Sequence, residues 1–393
     1  MPLIHRIPSW NVSGKRVLLR ADLNIKLPVQ KDDFRLISLL PTVDFLVEHN
    51  AIVILLTHRG RPKHPDPALS TASLVDWFVD HQYTARFAPD LATLAAAKKS
   101  ALPGHLIVFE NLRFFPGEQA NDPAFAHALA RDTDFYVNDA FGSLHRPDCS
   151  LTTLARLFPP ENRSIGFLVK KELTHIDAIM AHAQYPLVLI SGGGKMHEKL
   201  VYLDLLVQHF DIFCVCPELA LAFLHAKKYE TGHSSCNEKS DQLSTRISIK
   251  IYNAQKKLYL PSDYQVAFEG INGPLKNVGQ HAIAKNSYCT SIGPETITLF
   301  THIIQKAGTI IGNGFPGFEN RTETMEASHA LIHAIEKSSA KTIIGGGDTG
   351  NMVYQMHISS PHLFLSTGGG SLLAYIAQQK LSALELLLDS TSI

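Results

Sequence analysis

The sequence has few features of a secreted, zinc-binding or membrane-spanning protein. Its 393 residues include five cysteines, and no two of them form a C-x-x-C pair or a zinc-binding spacing. This usage predicts free thiols in a reducing compartment. The longest apolar candidate, residues 212–224, is interrupted by Pro217 and Glu218, and the first residues have no signal-peptide core. We therefore expect a cytoplasmic protein with no membrane partner.

An excess of charge of one sign is also missing. Lysine and arginine total 36, aspartate and glutamate total 36, and the isoelectric point is about 7.3. A balanced chain has no overall attraction to nucleic acid, so we expect no nucleic-acid partner. Twenty histidines are present, but no H-E-x-x-H metal motif occurs. Because the charges balance over the whole chain, any anion-binding site must be formed by a local group of residues.

What the chain does have is a repeated pattern of short apolar runs, each ending in a glycine or polar loop and followed by a helix-like segment. Apolar runs without polar alternation are typical of parallel strands covered by helices on both faces. The length suits two domains, so the pattern predicts an α/β protein with one such sheet in each half. The runs are residues 16–20, 51–56, 106–109, 135–137, 186–190, 212–215, 309–311, 342–344 and 363–365.

At mid-chain, residues 191–199 read Ser-Gly-Gly-Gly-Lys-Met-His-Glu-Lys after an apolar run. Glycines such as Gly193 and Gly194 let the backbone approach an anion closely. Lys195 and Lys199, four residues apart, fall on one face of the helix expected next. The stretch is not a Walker A loop, because the first glycine and the final serine or threonine of that motif are missing. The residues alone allow either a phosphate-binding turn or an ordinary glycine-rich loop with two solvated lysines.

Loops in the first half repeatedly place arginine after a predicted strand. The loops at the carboxyl ends of parallel strands share one edge of the sheet, where ligands bind. Guanidinium groups at that edge suit phosphate or carboxylate and indicate a small polyanionic substrate. Each arginine taken singly is also compatible with a surface ion pair, and Asp22 and Asn24 could orient substrate hydroxyls or cap a turn. The loop residues are Asp22, Leu23, Asn24, Arg35, His58, Arg59, Gly60, Arg61, Arg113, His145 and Arg146.

Two glycine loops follow strands in the second half. Residues 345–350, Gly-Gly-Gly-Asp-Thr-Gly, open a predicted helix whose backbone N–H groups can face a phosphate. Within them Asp348 suits Mg²⁺ beside a nucleotide, although an N-cap aspartate fits the same pattern. Residues 366–370, Ser-Thr-Gly-Gly-Gly, form the second loop. Residues 312–317 spell G-x-G-x-x-G, but no clear ribose-binding acid follows, so we predict no dinucleotide site there.

The order of these motifs resembles the phosphoglycerate kinase family over essentially the whole chain. The resemblance implies two doubly wound parallel-sheet (Rossmann-like) α/β domains joined by an interdomain helix, with a cleft between them. It implies a phosphoglycerate-binding domain at 1–169, the helix at 170–184 and a nucleotide-binding domain at 185–375, with residues 376–393 packing back on the first domain. The motifs are Arg-x-Asp-x-Asn from Arg20, Thr-His-x-Gly-Arg-Pro from Thr57, Glu-Asn-Leu-Arg-Phe from Glu110, Val-Asn-Asp-Ala-Phe-Gly from Val137, the Gly-Lys stretch and Gly-Gly-Gly-Asp-Thr from Gly345.

The resemblance also implies a reaction. It is reversible phosphoryl transfer between 1,3-bisphosphoglycerate and ADP, which gives 3-phosphoglycerate and MgATP in glycolysis and gluconeogenesis. The expected partners are these small molecules and Mg²⁺, and the expected state is a monomer that closes by hinge bending. The implied catalytic residues are Arg35, Lys195, Gly347 and Gly370. The first-half loop residues would hold phosphoglycerate, and the nucleotide and its metal would contact Gly193, Gly194, Lys195, Lys199, Asn313, Glu319, Gly346, Gly347, Asp348 and Thr349, with Asp348 as the metal ligand.

Some residues depart from the family pattern. Asp148 stands where the family has a second histidine after Arg146, and it is expected to weaken the positive potential unless it turns to a neighbouring arginine. Residues 216–218, Cys-Pro-Glu, replace three glycines beside the nucleotide base, and Gly312 and Phe315 replace a tryptophan and a proline. The alternative function is therefore a related protein with altered nucleotide preference or impaired catalysis, acting as a phosphoglycerate-binding or regulatory protein.

Overall fold

The computed structural model describes residues 7–377 and 381–387. The chain divides into two compact units, with boundaries between Thr174 and His175 and again between Gln379 and Lys380. We call the part between these boundaries unit 2, and the parts before and after it unit 1. Each unit has its own six-stranded sheet and its own buried apolar core.

The sheet of unit 1 is parallel throughout. Its strands are β1 Arg16–Ala21, β2 Ile52–Leu56, β3 Ala85–Ala88, β4 Leu106–Phe109, β5 Phe135–Asp139 and β6 Arg163–Ile165. They lie in the order β3-β4-β2-β1-β5-β6. Val17, Leu18 and Leu19 on β1 are all fully buried, because helices cover both faces of the sheet. The parallel sheet predicted from the unalternating apolar runs is confirmed.

Unit 2 contains a parallel sheet and a smaller antiparallel one. Its strands are β7 Leu187–Ser191, β8 Ile212–Val215, β9 Lys257–Tyr259, β10 Asp263–Ala267, β11 Leu275–Gly279, β12 Tyr288–Ile292, β13 Thr309–Asn313, β14 Lys341–Gly345 and β15 Leu363–Ser366. The parallel sheet has the order β15-β14-β13-β7-β8-β9, and the antiparallel sheet has the order β11-β10-β12. The antiparallel sheet was not predicted.

Helices connect the strands and cover the sheets. Several begin at side-chain caps, for example Asp33, Asp90 and Asn237, which accept backbone N–H groups of the first turn. No helix within residues 7–377 and 381–387 combines the length and the apolar composition needed to cross a bilayer. The helices are α1 Phe34–Glu48, α2 Ser73–Asp80, α3 Leu91–Ser100, α4 Pro116–Gln119, α5 Pro123–Ala130, α6 Thr153–Arg156, α7 Phe167–Ala181, α8 Met196–Leu206, α9 Pro217–Ala226, α10 Glu238–Asn253, α11 Pro294–Lys306, α12 Glu326–Glu336, α13 Gly347–Gln355, α14 Gly370–Ile376 and α15 Ser382–Glu385.

Helix α7 carries the chain from unit 1 into unit 2, since the first boundary falls inside it. It begins at Phe167 and ends at Ala181, three residues earlier at each end than the predicted helix at 170–184. The early start has a local cause. The buried Asp139 carboxylate accepts the Val169 backbone N–H at 2.9 Å, and Gly166 leaves the space that this carboxylate occupies.

The segment after unit 2 returns to unit 1. Ala383 N–H donates to the Leu144 carbonyl at 3.4 Å, and Ser382 Oγ lies 3.5 Å from the Arg146 carbonyl oxygen. Leu387 is fully buried. Within the segment 376–393 that was predicted to return, residues 381–387 belong to unit 1, whereas residues 376 and 377 belong to unit 2. Residues 378–380 and 388–393 of this segment lie outside the described part of the chain.

Both parallel sheets reverse their winding direction at a central strand. In unit 1 the chain moves from β1 to β2 on one side and continues at β5 on the other. In unit 2 it moves from β7 to β8 on one side and returns with β13 on the other. Open α/β sheets bind ligands outside the carboxyl ends of the strands at such reversal points. We therefore expect ligand sites at the loops after β1 and β5 in unit 1, and at the loops after β7 and β13 in unit 2.

Candidate active site

Arg35 and Asp22 form an ion pair at the carboxyl end of β1. Arg35 lies in the first turn of α1, where the N-cap Asp33 accepts its backbone N–H at 2.9 Å. The Arg35 guanidinium donates to the Asp22 carbonyl at 3.1 Å and to the Asp22 carboxylate, which also accepts Ser143 Oγ at 2.8 Å. Burial opposes ionisation of Asp22, but neighbouring cations, Arg35 foremost, hold its pKa well below the usual range. The carboxylate is therefore charged and fixes the guanidinium in place.

His58 follows β2 and is buried. Arg20 Nη2 lies 3.1 Å from His58 Nδ1. A guanidinium has only donors, so Nδ1 must accept and the proton of the neutral ring must be on Nε2. Burial lowers the pKa of His58 well below its usual value, and the surrounding arginines lower it further against the opposing effect of Asp22. His58 is therefore a neutral Nε2–H donor.

Arg20 is a candidate that the sequence analysis did not assign to the site. It lies on β1 with no exposed surface, and its Nε donates to Ser150 Oγ at 2.8 Å. A fully buried arginine needs internal partners. The available signal was its position at the end of the apolar run 16–20, where a charged side chain cannot simply face solvent.

The loops after β1 and β2 are tied to each other. Arg59 Nη1 donates to the Ser70 carbonyl at 2.5 Å, and Nε and Nη2 donate to the Ile25 carbonyl at 3.3 and 3.2 Å. Gly60 N–H donates to Asn24 Oδ1 at 2.7 Å. Arg59 is 1% exposed, and its guanidinium is committed to backbone carbonyls. In this structure Arg59 ties the loops together, and its predicted contact with the substrate stays a prediction.

Arg113, after β4, is turned toward Asp148. Arg113 Nη2 lies 4.0 Å from Asp148 Oδ2, and Nη1 donates to the Gly60 carbonyl. Burial, followed by repulsion from Arg146, lowers the pKa of Arg113 to about 10, and Asp148 opposes this shift. Asp148 thus takes the orientation that was predicted to limit its effect on the potential. Three buried polar atoms in this region, Arg35 Nε, Arg113 Nε and Asp148 Oδ2, have no hydrogen-bond partner among the described residues, as expected where a ligand binds.

The other residues predicted for this site surround it less closely. The Leu23 side chain belongs to the core; its backbone N–H donates to Thr57 Oγ1 at 2.9 Å and its carbonyl accepts the Ile25 N–H at 2.8 Å. Arg61 is exposed, and His145 and Arg146 are half-buried. Arg146 acts electrostatically on both His58 and Arg113. The structure therefore brings together Asp22, Arg35, His58, Arg113 and Arg146 as a basic cradle in unit 1.

In unit 2, Lys199 joins the ends of β7 and β13. Gly192 N–H donates to the Asn313 carbonyl at 3.2 Å. From α8, Lys199 Nζ donates to the Gly192 carbonyl and to the Asn313 carbonyl, the latter at 3.1 Å. Burial lowers the pKa of Lys199 to about 8, and nearby Cys216 and Glu218 oppose the shift. The ammonium is therefore fixed at the reversal point of the sheet.

Close backbone packing around Lys199 requires glycine. Gly314 has φ 84°, and a Cβ there would overlap the Gly192 carbonyl oxygen and lie 2.5 Å from Lys199 Nζ. A Cβ on Gly345 would lie 2.5 Å from the Gly368 carbonyl oxygen. Any side chain at either position would force these strand ends apart.

Lys195 caps α8 with an unusual backbone. It takes the left-handed conformation, with φ 65°, and it is exposed. A non-glycine residue in this region is strained by about 1–3 kcal/mol, and such strain is concentrated at functional sites. Gly193, with φ 70°, and the exposed Gly194 precede it. The glycine loop thus presents Lys195 at the same edge of the sheet as Lys199.

The remaining glycine loops lie at the same edge, because Ser191, Asn313, Gly345 and Ser366 are neighbours in register. Asn313 Nδ2 donates to the Gly369 carbonyl at 3.0 Å and so joins β13 to the loop before α14. Gly346, with φ 121°, is the N-cap of α13, which places Gly347, Asp348 and Thr349 in the first turn; Gly370 opens α14. Helix N-termini of this kind attract phosphate groups.

Binding of the predicted Mg²⁺ depends on which carboxylates lie at this edge of the sheet. No three His, Cys, Asp or Glu side chains in the described part of the chain converge on a metal site. Asp348 offers one exposed carboxylate. Magnesium in nucleotide sites takes one or two carboxylates together with phosphate oxygens. The donor set therefore fits Mg²⁺ when a phosphate-bearing ligand supplies the other oxygens.

Residues that depart from the family pattern alter this region. Pro217 opens α9 behind its buried N-cap Cys216, and Glu218 Oε2 lies 3.9 Å from the position that a Gly194 Cβ would take. A carboxylate therefore stands beside the glycine loop. Burial raises the pKa of Glu218, and Lys199 opposes the shift.

The loop after β13 differs from a dinucleotide fingerprint. Gly312 and Asn313 lie within the strand, and no α-helix opens in the described chain until Glu326. The Phe315 ring packs against Gly312, where a Cβ would lie 2.9 Å from Phe315 Cε2. The two residues that depart from the family pattern, Gly312 and Phe315, therefore pack against each other, and the missing side chain of Gly312 leaves room for the Phe315 ring. Glu319, predicted to contact the nucleotide, is exposed further along this loop.

Comparison with known proteins gives a consistent result. A family model described as phosphoglycerate kinase matches residues 7–379. The chain is 34% identical over 383 residues to "Phosphoglycerate kinase" of Aquifex aeolicus (strain VF5), covering 95% of this chain and 96% of that protein. It is 36% identical over 378 residues to the protein of the same name from Desulfosudis oleivorans, covering 92% and 93%.

Solved structures of similar fold carry the same description. The structure of phosphoglycerate kinase from Coxiella burnetii aligns with a TM-score of 0.74 and 28% identity, covering 98% of this chain and 99% of that one. The phosphoglycerate kinase of Pyrococcus horikoshii OT3 aligns with a TM-score of 0.82 over 98% of each chain, and its 24% identity supports the fold alone.

Proposed function

The chain belongs to the phosphoglycerate kinase family, and from this premise we propose that it transfers a phosphoryl group reversibly between 1,3-bisphosphoglycerate and ADP, giving 3-phosphoglycerate and ATP. One observation carries the proposal beyond family membership. Each unit has an anion-binding arrangement at the reversal point of its parallel sheet, a basic cradle in unit 1 and glycine loops around Lys199 in unit 2.

The cradle of unit 1 suits the acidic substrate. Arg35, Arg113 and Arg146 offer guanidinium forks that match phosphate and carboxylate groups. Neutral His58 offers a single N–H donor, and the buried Nε atoms of Arg35 and Arg113 lack partners in the described chain. We assign these residues, with Asp22 and Asn24 as orienting groups, to binding of phosphoglycerate.

The glycine loops of unit 2 suit the nucleotide phosphates. We assign Lys199, the backbone of Gly193 and Gly194, and the first turn of α13 to those phosphates, with Asp348 as the carboxylate that would hold Mg²⁺. When bound, the metal would neutralise charge on the phosphate oxygens. The exposed Lys195, together with Arg35, would accompany the group in transfer, and Gly347 and Gly370 would contribute backbone N–H groups. Asn313 supports these loops, and Glu319 is assigned to the nucleotide ribose.

Phosphoryl transfer needs little covalent help from the protein. It depends on in-line positioning of the reacting groups and on positive charge near the oxygens of the moving group. Because the two sets of residues belong to different units, the substrates must be brought together for reaction, and α7 is the element we propose as the hinge. We also propose that the enzyme acts as a cytoplasmic monomer.

A coupled assay with ADP and 1,3-bisphosphoglycerate tests the proposal. We expect turnover by the purified protein, and a loss of at least about a hundredfold in kcat for Lys195→Ala with binding of 3-phosphoglycerate retained. The matched control is Lys228→Ala, because Lys228 is an exposed lysine in unit 2 with the same left-handed backbone, φ 66°. Running GDP beside ADP in the same assay measures the nucleotide preference of the protein. The proposal would be contradicted if neither ADP nor GDP gave turnover, or if the kcat of Lys195→Ala equalled that of the wild type.

A further inference from the structure

A buried chain of hydrogen bonds lies behind His58 in unit 1. Ser150 donates twice to Glu118, from its backbone N–H at 2.9 Å and from Oγ at 2.6 Å. Ser150 Oγ in turn accepts Arg20 Nε at 2.8 Å, and Arg20 Nη2 donates to His58 Nδ1 at 3.1 Å. Glu118, Ser150 and Arg20 have no exposed surface. These three residues were not assigned to the site from the sequence.

The direction of each bond in this chain is determined by chemistry. Both Ser150 donors end on Glu118 oxygens; burial raises the pKa of Glu118, and Arg20 together with these two hydrogen bonds opposes the shift in favour of the carboxylate. With its hydroxyl proton on Glu118, Ser150 Oγ is left with lone pairs for Arg20. The guanidinium can only donate, so His58 Nδ1 can only accept. Glu118 and Ser150 thus hold Arg20 in the position from which its donor-only guanidinium leaves the His58 proton on Nε2.

We propose that Glu118 and Ser150 are positioning residues for phosphoglycerate: through Arg20 they hold His58 as the Nε2–H form, which donates to the anionic ligand. The proposal rests on the function proposed above, since it names the ligand of the cradle. A neutral donor is useful in this cradle because it gives one directed hydrogen bond without adding a cation to those already present. If Nδ1 carried the proton instead, the Nε2 lone pair would face an anion and repel it.

The charged groups around His58 all belong to unit 1. They are Arg20 on β1, Asp22 after β1, Arg113 after β4 and Arg146 after β5. Three of the four are cations, and burial acts in the same direction, so the ring stays neutral through the neutral pH range. We therefore expect the KM for 3-phosphoglycerate to show no inflection from His58 in that range.

Glu118→Gln and Ser150→Ala test the chain from two points. An amide offers one acceptor where Ser150 presents two donors, so Glu118→Gln breaks the pattern while keeping the volume. Ser150→Ala removes the link to Arg20 and leaves the carboxylate in place. Tyr136→Phe and Ser164→Ala are the matched controls. Tyr136 Oη donates to the Ser150 backbone carbonyl at 2.8 Å rather than to one of the three side chains, and Ser164 is a buried serine of β6 that donates to the Ile165 carbonyl at 2.9 Å.

The readouts are the tautomer of His58 from ¹⁵N NMR of histidine-labelled protein, and the steady-state constants for 3-phosphoglycerate. We expect Nε2–H in the wild type, a mixed or reversed tautomer in the two chain variants, a KM increase on the order of tenfold, and kcat within about twofold. Both controls should match the wild type.

A wild-type Nδ1–H tautomer would overturn the proposal, and so would folded chain variants that leave the tautomer and KM unchanged. If Glu118→Gln fails to fold, Ser150→Ala decides. If the wild type has no turnover, the proposed reaction fails, while NMR titration with 3-phosphoglycerate still shows whether the Nε2–H group meets this ligand.

Discussion

The anion sites proposed for the two units lie at the same place in the same kind of sheet, but they are built from different parts of the chain. In unit 1 the site is made of side chains held by other side chains and carbonyls, as in the pairing of Arg35 with Asp22. In unit 2 much of the site is backbone, and Gly192 and Gly314 are in such close contact that a Cβ cannot be added to Gly314. The comparison teaches that unit 1 should be sensitive to changes of charge, and unit 2 to changes of volume.

The largest expected effect comes from adding volume in unit 2. In Gly314→Ala the new Cβ would meet the Gly192 carbonyl and Lys199 Nζ. We expect nucleotide affinity to fall by roughly a hundredfold, about 2.7 kcal/mol, with a lowered melting temperature. Affinity for 3-phosphoglycerate should stay within about twofold, because unit 1 is untouched. Isothermal titration with each ligand measures both effects.

Gly270→Ala is the matched control for that variant. Gly270 also has a positive φ, 104°, but a Cβ there would have no neighbour within 4 Å. It therefore carries the backbone strain of the substitution without the clash. Equal losses of nucleotide affinity in the two variants would show that close packing does not shape the unit 2 site.

A smaller effect should follow from pH. Burial lowers the pKa of Lys199 to about 8, so raising the pH through 8 removes its charge in the free protein. Between pH 7 and 9 the charged fraction falls roughly tenfold, and we expect the KM for ADP to rise by a similar factor. The Lys199→Arg variant should abolish this rise, since arginine stays charged. A KM for ADP that is flat to pH 9 would show that Lys199 does not titrate or does not bind the nucleotide.

The smallest effect should come from one charge in unit 1. Asp148→Asn keeps the shape of the side chain and removes the carboxylate 4.0 Å from Arg113. We expect affinity for 3-phosphoglycerate to rise about three- to tenfold, with ADP affinity unchanged. The control is Asp134→Asn, which makes the same charge change at the opposite edge of the sheet, where Asp134 accepts the Arg16 backbone N–H at 2.7 Å. Equal effects of the two variants would mean that net charge, rather than the pairing of Asp148, sets the affinity.

The parts of the fold that could be predicted are those with a strong local signal. Unalternating apolar runs located most of the parallel strands, because burial on both faces leaves a clear pattern. The antiparallel sheet was missed because β11, Leu275–Gly279, is largely exposed and has no apolar run. Its place is determined by antiparallel pairing with the preceding strand β10, which an exposed strand without an apolar run does not reveal from its composition.

In the candidate site, the types of residue could be predicted from the sequence more easily than the groups that each side chain contacts. Arg35 and Arg59 look alike in the sequence, yet one guanidinium is aimed at Asp22 in the cradle and the other is buried against backbone carbonyls. Arg20 lies within an apolar strand, and its position in the sequence does not show that its buried guanidinium contacts His58. Only the packing of distant loops distinguishes these roles.

The return of residues 381–387 to unit 1 has a consequence for how the chain is made. All of unit 2 precedes this segment, so a ribosome must synthesise unit 2 before the carbonyls of Leu144 and Arg146 meet Ala383 and Ser382. Domains generally fold in order of their emergence during synthesis. Here the unit that emerges first is completed only after unit 2 has been synthesised, and the loop that carries Arg146 gains these two neighbours only then.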